Sequence, residues 1–166
     1  MIVDAYQPDA NFISARHVEV AAAPERVWEV LPELPVLLRN SRWAKVAALP
    51  LLVAALLRRD RALVALDFGR RQWTYRDGEV LGGAFSVDRV EPGKEVVLIG
   101  HHRIADYATN FYIEPMAGGR SRLYNVTRAK FRTTGLGRIY LAGVRVFHNL
   151  YVDRWLQALK RRAEGG

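Results

Sequence analysis

The feature that most constrains this chain is one long amphipathic stretch close to its end, Gly137 to Arg162. Tyr140, Leu141, Val144, Phe147, Tyr151, Trp155, Ala158 and Leu159 recur at steps of three and four residues. That spacing predicts one stripe of a helix. Arg145, Asn149, Asp153, Gln157 and Lys160 fall on the opposite side and are expected to face water. His148 follows Val144 by four residues and precedes Trp155 by seven, so it projects from the middle of the apolar stripe. A helix with Tyr, Phe, His, Tyr and Trp on its inner face suits a wall around something, and the rest of the chain has to cover that face.

The preceding residues read as an antiparallel sheet able to do so. Residues 1 to 12 look like a loosely held arm. Ile13 to Ala21 follows as a first strand, with Val18 and Val20 alternating against His17 and Glu19. Pro24 opens a short helix, where proline suits the first turn and Glu25 complements the dipole. Val27, Val30 and Leu31 give that helix its apolar face, with Trp28 beside it, and Pro32 and Pro35 interrupt it. From Leu63 the period changes to that of strands: Leu63–Phe68, Gln72–Arg76, Ala84–Val90, Glu95–Arg103, Asp106–Glu114 and Ser121–Arg132. Gly69, Asp77-Gly78, Glu91-Pro92-Gly93 and Met116 to Gly119 punctuate them. Links this short imply an antiparallel meander. No repeat or interdomain linker is visible, so residues 1–166 are read as one domain.

Between these parts lies the most apolar run, VAALPLLVAALL at Val46–Leu57. It is too short for a membrane span of ~20 residues and contains Pro50. It has no polar face, so it is expected as broken helices that are buried on several sides or form a contact surface, a homodimer contact among the possibilities.

The formal net charge is +8, from 25 basic and 17 acidic residues. The basic residues are scattered, and no aromatic-and-basic RNA motif, zinc finger or helix-turn-helix accompanies them, so no nucleic-acid partner is expected. Cysteine is absent, which removes disulfides, thiolate metal sites and a Cys nucleophile and fits a reducing compartment. The N-terminus lacks an apolar core of the secretory type, and a cytoplasmic location is expected. Only His17, His101, His102 and His148 could ligate a metal through imidazole, and their spacing forms no site with a carboxylate. Neither a phosphate-binding glycine loop nor a GxSxG context occurs. No cofactor is expected.

If Glu95–Arg103 and Asp106–Glu114 pair through a turn at Ile104-Ala105, then Val96, Leu98, Gly100 and His102 share the apolar face with Tyr107, Thr109, Phe111 and Ile113. Ser121–Arg132 adds Leu123, Asn125, Thr127, Ala129 and Phe131. Arg103, Asp106, Asn110, Glu114, Arg122 and Arg128 fall on the other, wetter face. The expected ligand-facing set is therefore His102, Tyr107, Thr109, Phe111, Leu123 and Phe131 from the sheet. From the helix it is Tyr140, Val144, Phe147, His148, Tyr151 and Trp155. His148 and His102 are the candidates for proton transfer, with Asp153 and Asp88 the carboxylates nearest to hand for orienting them. Arg128 and Arg138 are candidates for holding an anionic group.

Three stretches carry a family resemblance. HVEVAAAPERVWEVL, ending at Leu31, leads a strand through a small-residue turn and a proline into a helix bearing Val and Trp. FSVDRVEPGKEVVLIGHHRIADYATNFYIEP with GRSRLYNVTRAKF forms the central stretch, and GLGRIYLAGVRVFHN opens the last helix. Together they resemble the START-like (SRPBCC) superfamily, the helix-grip fold of pollen allergens, lipid-transfer domains and polyketide cyclases, in a bacterial branch. The resemblance covers nearly the whole chain. It implies an α+β fold in which a curved antiparallel sheet wraps a long C-terminal helix. It also implies an internal cavity for a small hydrophobic or aromatic molecule. The alternatives are a cyclase or dehydratase using His148 or His102 as acid-base, and a membrane-surface or assembly role for residues 46–57.

Overall fold

The computed structural model describes residues 2–39, 59, 73–81, 85–103, 105–132 and 137–166, with the backbone alone at 2, 38–39 and 137–142. Within these residues six strands form one antiparallel sheet in the order β1-β6-β5-β4-β3-β2. They are β1 Phe12–Val20, β2 Val80–Leu81, β3 Phe85–Glu91, β4 Glu95–His101, β5 Ala105–Met116 and β6 Arg120–Phe131. Two short helices follow β1: α1 Pro24–Val30 and, after a single 3-10 turn, α2 Leu34–Arg39. The long helix α3 runs Gly137–Ala163 and covers one face of the sheet, lying closest to β1. The sheet is mostly meander; β1 alone crosses to the far edge, beside the last strand.

Sequence dictates much of this locally. Pro24 sits in the first turn of α1, and Val27 and Val30 are its buried side. Glu91-Pro92-Gly93-Lys94 turns β3 into β4. Lys94 N–H donates to the Glu91 carbonyl at 3.0 Å, and Gly93 takes φ +77°, the positive value that the third position of such a turn requires.

The β4–β5 hairpin pairs in a register two residues away from the expected one, which brings its turn one residue earlier. Gly100 faces Tyr107, and His102 N–H bonds to the Ala105 carbonyl at 2.9 Å. Because side chains alternate with period two, an even slip leaves each residue on its expected face. Val96, Leu98, Thr109, Phe111, Ile113 and Leu123 accordingly face α3, most of them within the main core.

Other expectations need correction. Gln72–Arg76 is not a strand over its described residues. Trp73 N–H donates to the Pro32 carbonyl at 2.9 Å, and the Tyr75 hydroxyl donates to the Leu31 carbonyl at 3.1 Å. Tyr75 also sits at φ +48°, which a strand does not accommodate. Both rings anchor the α1–α2 junction instead of joining the sheet. The N-terminal arm is not loosely held. Val3 is fully buried against Ala108 and Val126, with Tyr6 and Ile99 alongside, in a second small core on the outer face. Asn11 exchanges two hydrogen bonds with the Phe131 backbone, both 2.9 Å. Asn110, expected to be wet, is buried beneath that arm.

The helix is also rotated relative to the expected stripe. Its sealed line is Val144, Val152, Leu156, Leu159 and Ala163. Asn149 and Asp153 turn toward β1: Ser14 Oγ donates to Asn149 at 2.7 Å, and Arg16 forks onto Asp153 at 2.7 and 2.6 Å. Phe147, expected inside, is 39% exposed. The expected strand at 63–68 and the apolar run 46–57 lie outside the described residues.

Candidate functional site

The helix and sheet meet differently along their length. Toward the end of α3, Val152, Leu156, Leu159 and Ala163 are sealed into the main core with Val27, Val30 and Leu34. On the shoulder beside that line, from His148 to Trp155, inward-facing aromatic residues keep accessible surface. His148, Tyr151 and Trp155 of α3, Tyr107 of β5 and Phe85 of β3 are only partly buried.

His148 lies edge-on to Phe12, ring centroids 5.2 Å apart. Its Nδ1 is inaccessible and has no hydrogen-bond partner, although the residue as a whole is not fully covered. Burial lowers its pKa from 6.5 to about 4, with the Asn149 amide pulling weakly the other way. A charged imidazolium would lose its hydration there, so the ring is neutral near pH 7. One turn on, Tyr151 meets Trp155 edge-to-face at 4.3 Å, and Trp155 stacks over Phe111 at 6.1 Å. Burial pushes the Tyr151 phenol up, so it remains an O–H. Trp155 Nε1 is buried and unbonded.

His102 sits at the mouth of the β4–β5 hairpin, stacked on Tyr107 with ring planes 14° apart and Nε2 3.1 Å from the Tyr107 hydroxyl. Gly100 makes this possible. A Cβ there would come within 2.3 Å of the Tyr107 ring, so only glycine lets the phenol cross the strand. Phe85 closes edge-on against the same ring at 5.2 Å.

Between these aromatic groups the sheet carries a satisfied polar row. Thr109 and Thr127 hydroxyls are 2.8 Å apart. Asn125 Nδ2 donates to Thr109 at 3.0 Å and to the Asn110 carbonyl at 2.7 Å. Leu123 is fully buried, and Phe131 packs edge-on against Phe12 at 5.8 Å.

Of the residues expected at the site, the structure gathers Val144, His148, Tyr151 and Trp155 with Phe111 and Thr109 between helix and sheet. His102 and Tyr107 form a separate pair beside the hairpin turn. Phe147 stands outside, and the Tyr140 and Arg138 side chains lie outside the described residues. Phe12, Ser14 and Arg16 were missed, although the β1 alternation that marks Val18 and Val20 runs back through them.

The carboxylates expected to orient a histidine are engaged elsewhere. Asp153 holds Arg16, whose pKa rises through that bond. Asp88 accepts from Tyr6 on the far face of the sheet. Arg128, a candidate anion holder, also lies on that face, 3.9 Å from Asp4. Among the described residues no group of His, Asp and Glu could hold a metal ion, and no helix is long and apolar enough to cross a membrane.

A curved antiparallel sheet gripping a C-terminal helix, with short helices after the first strand, is the helix-grip fold expected above. No family model and no curated protein sequence matches the chain. Among solved structures, a conserved protein from Geobacillus kaustophilus is similar at TM-score 0.52 and 11% identity, over 92% of this chain and 95% of that one. A START superfamily protein from Mycobacterium smegmatis is similar at TM-score 0.48 and 14% identity, over 92% and 97%. The Zhui aromatase/cyclase from Streptomyces is similar at TM-score 0.48 and 15% identity, over 92% and 93%. Identities this low describe shared shape and carry no activity across.

Proposed function

We propose that the protein binds a small hydrophobic or aromatic molecule between α3 and the sheet. One observation carries this reading. Phe85, Tyr107, His148, Tyr151 and Trp155 all point inward from elements that enclose a core, yet each keeps accessible surface, while the neighbouring line Val144, Val152, Leu156 and Leu159 of the same helix is sealed. Sites for small molecules combine an apolar, aromatic lining with a few orienting polar groups. Thr109, His148 and Tyr151 are such groups here. Binding is favoured over catalysis because Asp153 and Asp88, the carboxylates best placed in sequence to orient a histidine, are committed to Arg16 and Tyr6. A lone neutral imidazole is a hydrogen-bonding group before it is an acid-base catalyst.

Native mass spectrometry of protein purified from its source tests this. A retained apolar molecule, displaced by added fluorene, is the expected result. Protein that arrives without a ligand and takes up no fluorene would remove the reading.

A further inference from the structure

Two donors on adjacent turns of α3 narrow the chemistry of that ligand, granted that the space between α3 and the sheet holds one. Trp155 Nε1–H is buried and unbonded. An indole N–H can only donate, and a buried donor is costly until an acceptor meets it. Tyr151, four residues earlier, places its ring 4.3 Å from the Trp155 ring. The indole N–H lies near enough to the phenol to stabilise negative charge there, but outside hydrogen-bond geometry. The two donors therefore converge without satisfying each other. Phe111 lies below them as a flat apolar floor, stacked on Trp155 with ring planes 30° apart.

Among the described residues no free charge lines the same place. The helix positions around the pair are Val144, His148, Val152 and Leu156, and the facing sheet positions are Phe111, Thr109 and Asn125. Arg16, the one cation on the inner face of β1, is forked onto Asp153. An anion placed here would lose its hydration with no partner in return.

We propose that Tyr151 O–H and Trp155 Nε1–H clamp the carbonyl oxygen of an uncharged, flat aromatic ligand, its ring lying over the part of Phe111 that Trp155 uncovers as it turns. Binding turns the two partly exposed rings apart and replaces their edge contact with two hydrogen bonds to one oxygen. The clamp selects carbonyl compounds over hydrocarbons and over carboxylates of the same shape.

Equilibrium dialysis against fluorene, fluorenone and the fluorenecarboxylate anion separates the cases. Fluorenone should bind about tenfold tighter than fluorene, the ratio that one or two net hydrogen bonds produce, and the carboxylate should bind weakest. Tyr151→Phe and Trp155→Phe keep an aromatic ring and lose a donor. Each should cut the ratio of fluorenone to fluorene binding about threefold, a ratio that cancels changes in ring packing common to both probes, with thermal melts reporting on folding. Equal binding of fluorene and fluorenone by the unaltered protein, or a preference that survives both variants, overturns the clamp while leaving the binding site standing. Tightest binding of the carboxylate overturns it too, by showing a cationic site. Failure of all three probes removes the site itself, and the clamp with it.

Discussion

On the face of the sheet turned away from α3, Asn110, Tyr6 and Asp88 are bonded under the N-terminal arm. On the face turned toward it, His148 Nδ1 and Trp155 Nε1 are buried and unbonded. Both faces bury polar atoms, but to different ends. Outside, both polar atoms of the Asn110 side chain are bonded: Nδ2 donates to Glu95, and Oδ1 accepts from Val126 N–H at 3.0 Å. The unbonded atoms there, Nε of Arg122 and Arg128, belong to guanidinium groups whose other nitrogens meet carboxylates. Inside, the sheet's own Thr109, Asn125 and Thr127 are satisfied, and the unmet atoms include His148 Nδ1 and Trp155 Nε1 of the helix and Trp73 Nε1 at the α1–α2 junction. A fully connected polar network rigidifies what surrounds it, whereas a partly connected one is open to a further partner. The outer face thus reads as structure and the inner face as a site.

Asn110→Ala probes that contrast most strongly. It removes one partner from the buried Glu95 carboxylate and one from the Val126 amide together. Losses of this kind run to about 3 kcal/mol when the groups stay dry. Urea unfolding should show that loss, while the folded fraction binds ligand normally. A cost below about 1 kcal/mol would mean that water reaches the outer network, and the contrast between the faces would collapse.

The inner face has its own signature, in pH. His148 has a pKa near 4 in the folded protein, against 6.5 for an unhindered histidine. Its folded-state pKa is depressed, so the unfolded chain takes up the proton first as pH falls. Stability is therefore intact above about 6.5 and declines as pH drops from there toward 4. Between pH 7 and 5 this amounts to about 2 kcal/mol. His148→Phe should abolish that slope and be the more stable form at pH 5. Parallel pH dependence in the two proteins would place the imidazole in water and leave the inner face as well solvated as any surface.

How far the sequence carried these conclusions varies by element. Strand faces were legible because side-chain period two tolerates an even error, and the β4–β5 pairing slipped by two residues without moving any residue across the sheet. The helix was legible in extent but not in rotation. Aromatic residues dominated its apparent stripe, yet Tyr151 and Trp155 occupy a shoulder, because large rings reach the interior from positions beside the contact line. Val152 and Leu156, smaller and set among polar neighbours, take the line itself. Gln72–Arg76 alternates like a strand, but two backbone acceptors at the end of α1 capture Trp73 and Tyr75. The arm shows no periodicity of its own, since its burial depends on a groove formed by Ala108 and Val126, residues that long-range pairing brings together. Of the site, the inward positions of His148, Tyr151 and Trp155 followed from spacing. Their unmet donors did not, because partners are a property of three-dimensional packing.

The shoulder of α3 facing β1 offers the finest test, because it joins the two behaviours. Ser14–Asn149 and the Arg16–Asp153 fork lie on the inner face, yet both are satisfied. If polar saturation marks structure, this edge should act as a fastening and contribute nothing to ligand preference. The fork is also half in water, with side-chain exposures of 41% and 39%. Exposed pairs of this kind are worth about 0.5 kcal/mol, somewhat more when bidentate. Arg16→Met keeps the stem that packs on the sheet and removes the charge. Its expected cost is under about 1 kcal/mol, and most of that should vanish in about 0.5 M salt, where the screening length shrinks to about 4 Å. The ratio of fluorenone to fluorene binding should not move. A ratio that does move would mean the fork shapes the space beside His148, and the dividing line between fastening and site would have to be redrawn one helical turn closer to β1.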